Sequence, residues 1–178
     1  MLWLWAIIFV QNLYGSHDTP IWFCYNGTMN YKNPIPVAVA MIFNSDRSKV
    51  LVGERGIEPF IGGDAMLGGF TNEGETPEVA VRREVKEEAG RSIDEAPLQY
   101  ESSAITHNNR LLLFFSTCVP EVLFDGVEDN NEMRNIRFIS PDELQAKPLC
   151  FNLHQEALLN AWAKHRPDLF AATTPTPA

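Results

Sequence analysis

One short helix, flanked by clear start and stop signals, most constrains how this chain can fold. Thr76 is a suitable N-cap, and Pro77 occupies the first helical position, where a missing N–H leaves no hydrogen bond unmade. Glu78 complements the helix dipole, and Gly90 can close the C-terminus. The sequence therefore predicts a helix over residues 77–89.

Strand signals lie on both sides of this helix. An apolar run at residues 36–43 is typical of a buried strand, and a polar turn at 44–46 leads into a second strand at 49–54. Further strands are predicted at residues 98–106, 111–118 and 136–139. Because strands and helices are mixed along the chain, the expected fold class is α/β (α+β).

The remaining segments predict one loop, two more helices and a tail. Residues 56–69 carry five glycines and little periodicity, which indicates a loop whose backbone approaches another group closely. Ser140 can cap a short helix, and residues 153–164 have the apolar spacing of a helix that covers one sheet face. We expect disorder in the Thr- and Pro-rich residues 171–178.

Composition narrows the class of partner and compartment. A chain of 178 residues with 45% hydrophobic residues suits one domain. A formal net charge of -9 argues against a broad nucleic-acid groove. Three cysteines, Cys24, Cys118 and Cys150, form no Cys-x-x-Cys pair, so we expect packing roles and a reducing, cytoplasmic compartment.

The N-terminal residues 1–10 are all apolar. A membrane span needs about 20 such residues, so this run cannot cross a bilayer alone. No Lys or Arg precedes it, which argues against a secretory signal, although Gly15 and Ser16 could serve as a cleavage site. A packing strand, an interfacial anchor and a misassigned start stay open.

The predicted helix sorts its charges by face. Glu84, Glu87 and Glu88 stand at i, i+3 and i+4, so their carboxylates are neighbours and repel one another. A divalent cation such as Mg²⁺, which prefers carboxylate and water oxygens, would reverse that repulsion. Apolar residues form a second stripe and basic residues a third: Val81, Val85 and Ala89, then Arg82, Arg83 and Lys86.

An isolated Glu-x-x-Glu-Glu is more often a solvated helix face than a metal site. Here it belongs to a longer pattern, Gly-x5-Glu-x7-Arg-Glu-Val-x-Glu-Glu-x-Gly, formed by Gly69, Glu75, Arg83, Glu84, Val85, Glu87, Glu88 and Gly90. This pattern resembles the Nudix box. The resemblance implies the Nudix fold, a mixed β-sheet sandwiched between α-helices.

The resemblance also implies roles for the matching residues. Glu84, Glu87 and Glu88 would hold Mg²⁺ or Mn²⁺, the backbone of Gly69 would approach a metal, and Arg83 would brace the glutamates as part of the catalytic set. Glu75 would brace the loop against the helix. Arg91 departs from the pattern, which has an aliphatic residue there, and this puts local packing in doubt.

Features outside the box indicate a subgroup. Asn33-Pro34, Gly62-Gly63 and Gly68-Gly69-Phe70 resemble Nudix enzymes that act on ADP-ribose, NADH or FAD. Residues 23–28 resemble a degenerate zinc ribbon without its partner cysteines, so zinc is not carried over. Asp64 and Leu67 stand where these relatives usually have tryptophan and proline, which leaves loop geometry and substrate choice open.

The expected activity is Mg²⁺-dependent hydrolysis of a diphosphate bond in a nucleotide-containing small molecule, releasing a nucleoside monophosphate. A housecleaning nucleoside triphosphate pyrophosphohydrolase and a non-catalytic nucleotide sensor are the alternatives. We expect an N-terminal extension at 1–33, the Nudix domain at 34–168 and a tail at 169–178. Dimers are common in the family, so a homodimer is an expected assembly by analogy.

Several further side chains are candidates for the site. Glu132 is a candidate base or extra metal ligand, and a solvated acid is at least as good an interpretation. His107, in a polar turn, is more often a surface histidine than a catalyst. Four aromatic residues could stack on a base or flavin ring but are more often core: Phe60, Phe70, Phe114 and Phe115.

Overall fold

The computed structural model describes residues 32–169. From Pro34 onward these residues belong to one compact unit. The apolar N-terminal run, the ribbon-like residues 23–28 and the tail at 171–178 lie outside the described residues, so the predictions made for them stay predictions.

Seven strands and three α-helices form the described part of the chain. The strands are β1 Ile35–Asn44, β2 Val50–Arg55, β3 Asp64–Ala65, β4 Gly68–Phe70, β5 Gln99–Ile105, β6 Arg110–Val119 and β7 Met133–Ile139. The helices are α1 Pro77–Ala89, α2 Pro141–Ala146 and α3 Asn152–His165, with a 3-10 turn at Glu121–Phe124. The predicted helices and the long strands are confirmed, with boundaries shifted by up to three residues.

The strands form one mixed sheet. Its main order is β3-β2-β1-β6-β5, while β4 pairs with β1 and β7 pairs with β2. β1 runs parallel to β6 from Ile35 opposite Arg110 to Asn44 opposite Val119, and its pairing with β2 and β4 is antiparallel. β1 therefore lies at the centre of the sheet.

Both faces of β1 are buried because helices cover the sheet on two sides. Even-numbered residues from 38 to 42 lie in one core cluster with Val81 and Val85 of α1. Odd-numbered residues from 39 to 43 lie in a second cluster with Leu158 and Trp162 of α3. The sheet sandwiched between helices is confirmed, and the continuous apolar run of β1 is explained by this double burial.

The prediction of a loop over residues 56–69 is wrong in part, because this segment contains β3 and the start of β4. Gly68 adopts a φ of 148°, and a Cβ atom there would lie 2.3 Å from Ala38 O. The glycines predicted that the backbone of this segment approaches another group closely, and at Gly68 that group is the backbone of β1. Strands of two or three residues are too short to show an alternating pattern.

The cysteines were expected to have packing roles. Cys118 and Cys150 are free thiols packed against the two core clusters, as predicted, and Cys24 lies outside the described residues. Among residues 32–169, no helix has both the length and the apolar character required to span a membrane.

Candidate active site

Helix α1 carries the acidic residues and is fixed at both ends by the predicted caps. Thr76 Oγ1 accepts a hydrogen bond from Val79 N at 3.4 Å. At the other end Gly90 adopts a left-handed φ of 62° and its N–H donates to Lys86 O. The apolar side of α1 packs on the sheet, and Glu84 and Glu88 lie next to that side. Both glutamates are therefore buried, and α1 contacts β4 as well as β1.

Arg83 connects the acidic residues to the preceding loop. Its Nη1 donates to Glu84 Oε1 at 2.7 Å and to Glu87 Oε2 at 2.8 Å. Its Nε donates to Glu75 Oε1 at 2.9 Å, and its Nη2 to Phe70 O at 2.8 Å. The prediction of a separate basic sector is wrong for Arg83, because this guanidinium lies among the glutamates.

Glu75 closes this network on the loop side. Its second carboxylate oxygen accepts from Asn72 N at 2.9 Å and from Arg83 Nη2 at 3.1 Å. The hydrogen bond with Arg83 is the main reason that the pKa of Glu75 lies below its ordinary value, and the same bond raises the pKa of Arg83. Glu75 thus joins the loop to α1, as the resemblance implied.

Glu84 is buried against the backbone of Gly69. A Cβ atom at position 69 would lie 2.4 Å from Glu84 Oε1, so any side chain there would displace the carboxylate. Burial raises the pKa of Glu84 despite the ion pair with Arg83, and the nearby charge of Glu87 raises it further. Gly69 and Glu84 therefore lie together, as the predicted metal site requires.

Glu88 is the most deeply placed carboxylate of the cluster, with 6% of its surface exposed. Its Oε2 accepts a hydrogen bond from Gly68 N at 2.8 Å. Burial raises the pKa of Glu88 to about 8, against the opposing effect of that hydrogen bond. Among residues 32–169 no Lys or Arg forms an ion pair with Glu88, and the more distant charge of Arg55 only partly opposes the effect of burial on its pKa.

The other two candidate acids are more accessible. The Glu87 side chain is 59% exposed and is held by Arg83. Glu132 is exposed, in the loop before β7, yet it lies near the cluster: after burial, the largest cause, its charge also raises the pKa values of Glu84 and Glu88. The structure thus brings Glu132 to the predicted site, whereas His107 is exposed in the turn between β5 and β6.

The donor set fits a hard divalent cation that retains water and binds substrate phosphate. Within residues 32–169, no three His, Cys, Asp or Glu side chains converge closely enough to coordinate one ion together. Arg83 accounts for this arrangement, since it holds Glu84 and Glu87. Mg²⁺ usually takes one or two carboxylates, several waters and substrate phosphate, so buried Glu84 and Glu88 beside a side-chain-free Gly69 match its requirements.

The departures from the family pattern have structural explanations. Asp64 is 1% exposed and is neutralised by Arg137 Nη2 at 2.7 Å and Lys147 Nζ at 2.8 Å. Leu67 is buried in the core cluster beneath α1. Arg91 forms hydrogen bonds to the chain at the 3-10 turn: its Nε donates to Leu123 O at 2.9 Å and its Nη2 to Asp125 O at 2.8 Å. Arg91 therefore links α1 to the 3-10 turn by hydrogen bonds.

The four aromatic residues divide into two pairs. Phe114 and Phe115 are buried in the core, as expected. Phe60 and Phe70 are 54% and 46% exposed, so the core interpretation is wrong for them. The ring of Phe70 lies 4.9 Å from the Arg110 guanidinium, which therefore packs on it.

Sequence reasoning missed Asn130, whose side chain bonds to the end of α1 and to the loop that carries Glu132. It belongs to a polar run, 128–132, that resembles any solvated loop. The only local signal is that Asn favours bonds to its own turn, which does not reveal a partner 42 residues away.

Comparisons with known proteins identify the fold and the family. Residues 33–160 match the family described as NUDIX domain. The comparison with curated proteins gave no match.

Solved structures support the same conclusion for the fold. A NUDIX hydrolase from Nitrosomonas europaea is 23% identical, with a TM-score of 0.60 over 75% of this chain and 92% of its own. The NUDIX domain of Shewanella oneidensis NrtR, complexed with ADP ribose, is 17% identical, with a TM-score of 0.63 over 75% of this chain and 90% of its own. A MutT NUDIX hydrolase from Burkholderia pseudomallei is 23% identical, with a TM-score of 0.55 over 72% and 98%.

The family match covers most of the sequence, from just before β1 into α3, and includes every residue of the acidic cluster. The chain therefore belongs to the Nudix family, whose members are generally Mg²⁺-dependent pyrophosphohydrolases.

Proposed function

We propose that this protein hydrolyses the diphosphate bond of a nucleoside diphosphate linked to a second group, as in ADP-ribose, NADH or FAD, and releases a nucleoside monophosphate. The observation that carries the proposal is the buried pair Glu84 and Glu88, whose carboxylates lie against the glycine backbone of β4. Burial raises both pKa values, and only Glu84 forms an ion pair with a basic side chain of the described residues. Such a pair is poised to receive a divalent cation.

The residues of the site would have different roles. Glu84, Glu87 and Glu88, with the backbone of Gly69, would hold the Mg²⁺ or Mn²⁺ ions, with no more than two of these carboxylates on any one ion, since within residues 32–169 no three converge on a single point. The bound metal would neutralise charge on the diphosphate and lower the pKa of a coordinated water. Arg83 would keep Glu84 and Glu87 oriented through its two bonds to them.

Glu132 is the candidate general base. In the proposed step a water oxygen attacks one phosphorus and the bond from that phosphorus to the bridging oxygen breaks. The bridging oxygen keeps the bonding electrons and leaves as part of the second phosphate, and the proton of the water passes to Glu132. Its support is its position: it is exposed to solvent yet close enough to Glu84 and Glu88 to affect their pKa values. A base must reach both the metal site and the water it deprotonates.

The substrate class rests on two kinds of support. The features at Asn33-Pro34 and Gly68-Gly69-Phe70 resemble the ADP-ribose, NADH and FAD subgroup. The NrtR domain, which shares this fold, was solved with ADP ribose. Nucleoside triphosphate hydrolysis and nucleotide sensing without turnover are the competing functions. The homodimer and the cytoplasmic location predicted from the sequence stay predictions.

A substrate panel tests the proposal. Purified protein is incubated with Mg²⁺ or Mn²⁺ and ADP-ribose, NADH, FAD or nucleoside triphosphates, and the products are separated. We expect AMP from ADP-ribose and its relatives. Cleavage of triphosphates alone would establish the housecleaning function, and binding without cleavage would establish the sensor.

Matched variants complete the panel. Glu84→Gln should reduce turnover by orders of magnitude, since it removes a metal ligand. Glu78→Gln is the control, because Glu78 is an exposed glutamate on the same helix and should leave turnover unchanged. Equal rates for both variants would refute the assigned site.

A further inference from the structure

We infer that Asn130 is a positioning residue that holds Glu132 at the acidic cluster by joining its loop to the end of α1. The inference rests on the proposed function, in which Glu132 acts as the base. It concerns the loop between Gly126 and Met133, which enters β7 beside the cluster.

The side chain of Asn130 uses both of its ends. Its Nδ2 donates to Glu88 O at 2.7 Å, which ties the loop to the backbone of the helix at the deepest carboxylate. Its Oδ1 accepts from Glu132 N at 2.9 Å and from Met133 N at 2.8 Å. One amide therefore connects the backbone of Glu88 to the backbone of Glu132.

The backbone closes the same turn. Asn130 N donates to Met133 O at 3.0 Å, so residues 130–133 form a compact reversal before β7. The Met133 side chain is buried in the core cluster beneath α1, whereas residues 130–132 are exposed. Hydrophobic packing therefore fixes one end of the reversal, and the polar bonds of Asn130 hold its exposed part.

A second contact fixes the loop from the opposite side. Gly56 N donates to Glu132 O at 2.7 Å. A Cβ atom at position 56 would lie 2.2 Å from a backbone oxygen in this loop, so the loop can approach the end of β2 only because residue 56 is glycine. Glu132 is thereby held between α1 and β2, although it is exposed.

This double attachment has a catalytic consequence. A base must stay within hydrogen-bond reach of the water it deprotonates, and a displacement of about 1 Å can lower the rate about 100-fold. The reversal carries no metal ligand of the box, so its loosening should affect the chemical step more than metal binding.

A double-mutant cycle tests the inference in the full chain. We expect Asn130→Ala to lower kcat by about 10- to 100-fold while KM and the Mn²⁺ dissociation constant change less than about twofold. In a Glu132→Gln background, Asn130→Ala should lower kcat no further, because the positioned group is already gone. Equal effects in the two backgrounds would overturn the inference, as would a drop in kcat caused by lost metal affinity.

The control is Asn131→Ala. Asn131 is the same residue type one position along the same loop, it is exposed, and within residues 32–169 its side chain makes no hydrogen bond. We expect wild-type kinetics for it. Gly56→Ala gives an independent variant, which should reproduce the Asn130→Ala effect through steric displacement alone.

Hydrogen exchange separates failure of the inference from failure of the proposed function. In Asn130→Ala the amides of Glu132 and Met133 should exchange at least about tenfold faster, because they lose their shared acceptor, while those of α1 stay protected. Unchanged exchange at both amides would show that Asn130 does not hold the loop, whether or not the protein hydrolyses a substrate. Failure of wild-type protein to cleave any diphosphate would overturn the proposed function instead.

Discussion

Gly69 lies directly against the carboxylate of Glu84, so closely that a Cβ atom at position 69 would be 2.4 Å from Glu84 Oε1. β4 and α1 can meet in this way only because β4 presents no side chain at that point. A glycine is therefore required at position 69 for steric reasons. Its backbone lies on the side of β4 that faces the buried acids.

Gly69→Ala should displace Glu84 and lower turnover by about 100-fold, the effect of misplacing a reacting group by about 1 Å. Overpacking should also reduce the free energy of unfolding by about 1–3 kcal/mol. Steady-state kinetics and urea unfolding measure the two effects. Gly74→Ala is the control, since Gly74 has a φ of 77° and open space around a Cβ: strain of about 1–2 kcal/mol with normal turnover is expected. Similar turnover in both variants would contradict the steric role.

Arg83→Lys should lower turnover or metal affinity by about 10- to 100-fold, as loss of a group that orients metal ligands usually does. A lysine ammonium cannot reproduce the planar fork that reaches Glu75, Glu84 and Glu87 at once. Kinetics over a range of Mg²⁺ concentrations measure the change.

The matched control is Arg82→Lys on the adjacent position of the helix. Arg82 donates to Ile93 O and Ala96 O, away from the acids. Its replacement should reduce stability and leave turnover intact. Loss of turnover in Arg82→Lys comparable to Arg83→Lys would show that the network around Arg83 has no special role.

Glu88→Gln should keep the metal-free protein at least as stable as wild type, because it removes a buried carboxylate that has no paired cation among the described residues. Turnover should fall by orders of magnitude. A metal at about 100 times its dissociation constant should stabilise wild type by about 3 kcal/mol and Glu88→Gln far less. Thermal unfolding with and without Mn²⁺ measures this, with Glu78→Gln as the control. Equal stabilisation of both variants by Mn²⁺ would be the contrary result.

His154 should make stability depend on pH. Burial lowers its pKa from 6.5 to about 4, and its ring packs between Phe114 and Phe151. Because the folded pKa is depressed, the unfolded chain takes up the proton first, so stability is lost as pH falls from about 6.5 toward 4. Between pH 7.5 and 5 this group should remove about 2 kcal/mol from the free energy of unfolding.

His154→Phe provides the comparison for that prediction. The variant keeps an aromatic ring in the cluster and has no group to protonate, so its unfolding free energy should fall by about 2 kcal/mol less over the same pH interval. Urea unfolding at the two pH values measures both proteins. Parallel pH profiles would show that His154 is not the titrating group.

Local signals made α1 and the acidic cluster predictable. The caps at Thr76 and Gly90 are short-range, and the spacing of Glu84, Glu87 and Glu88 fixes their face once the segment is helical. The central strand was predictable because burial on both faces produces an unbroken apolar run.

Long-range contacts account for what sequence reasoning did not find. β3 and β4 exist through pairing with β2 and β1, and segments of two or three residues carry no periodic pattern. Asp64 is buried only because Arg137 and Lys147, far along the chain, neutralise it. The link from Asn130 to Glu88 spans 42 residues and leaves no trace in either local sequence.

A crystal structure with Mg²⁺ and a non-hydrolysable diphosphate analogue of ADP-ribose tests the metal site directly. We expect at least one ion within about 2.1 Å of oxygens from Glu84 or Glu88 and of a diphosphate oxygen. An analogue bound elsewhere, with both carboxylates still buried and without a coordinated ion, would refute the site.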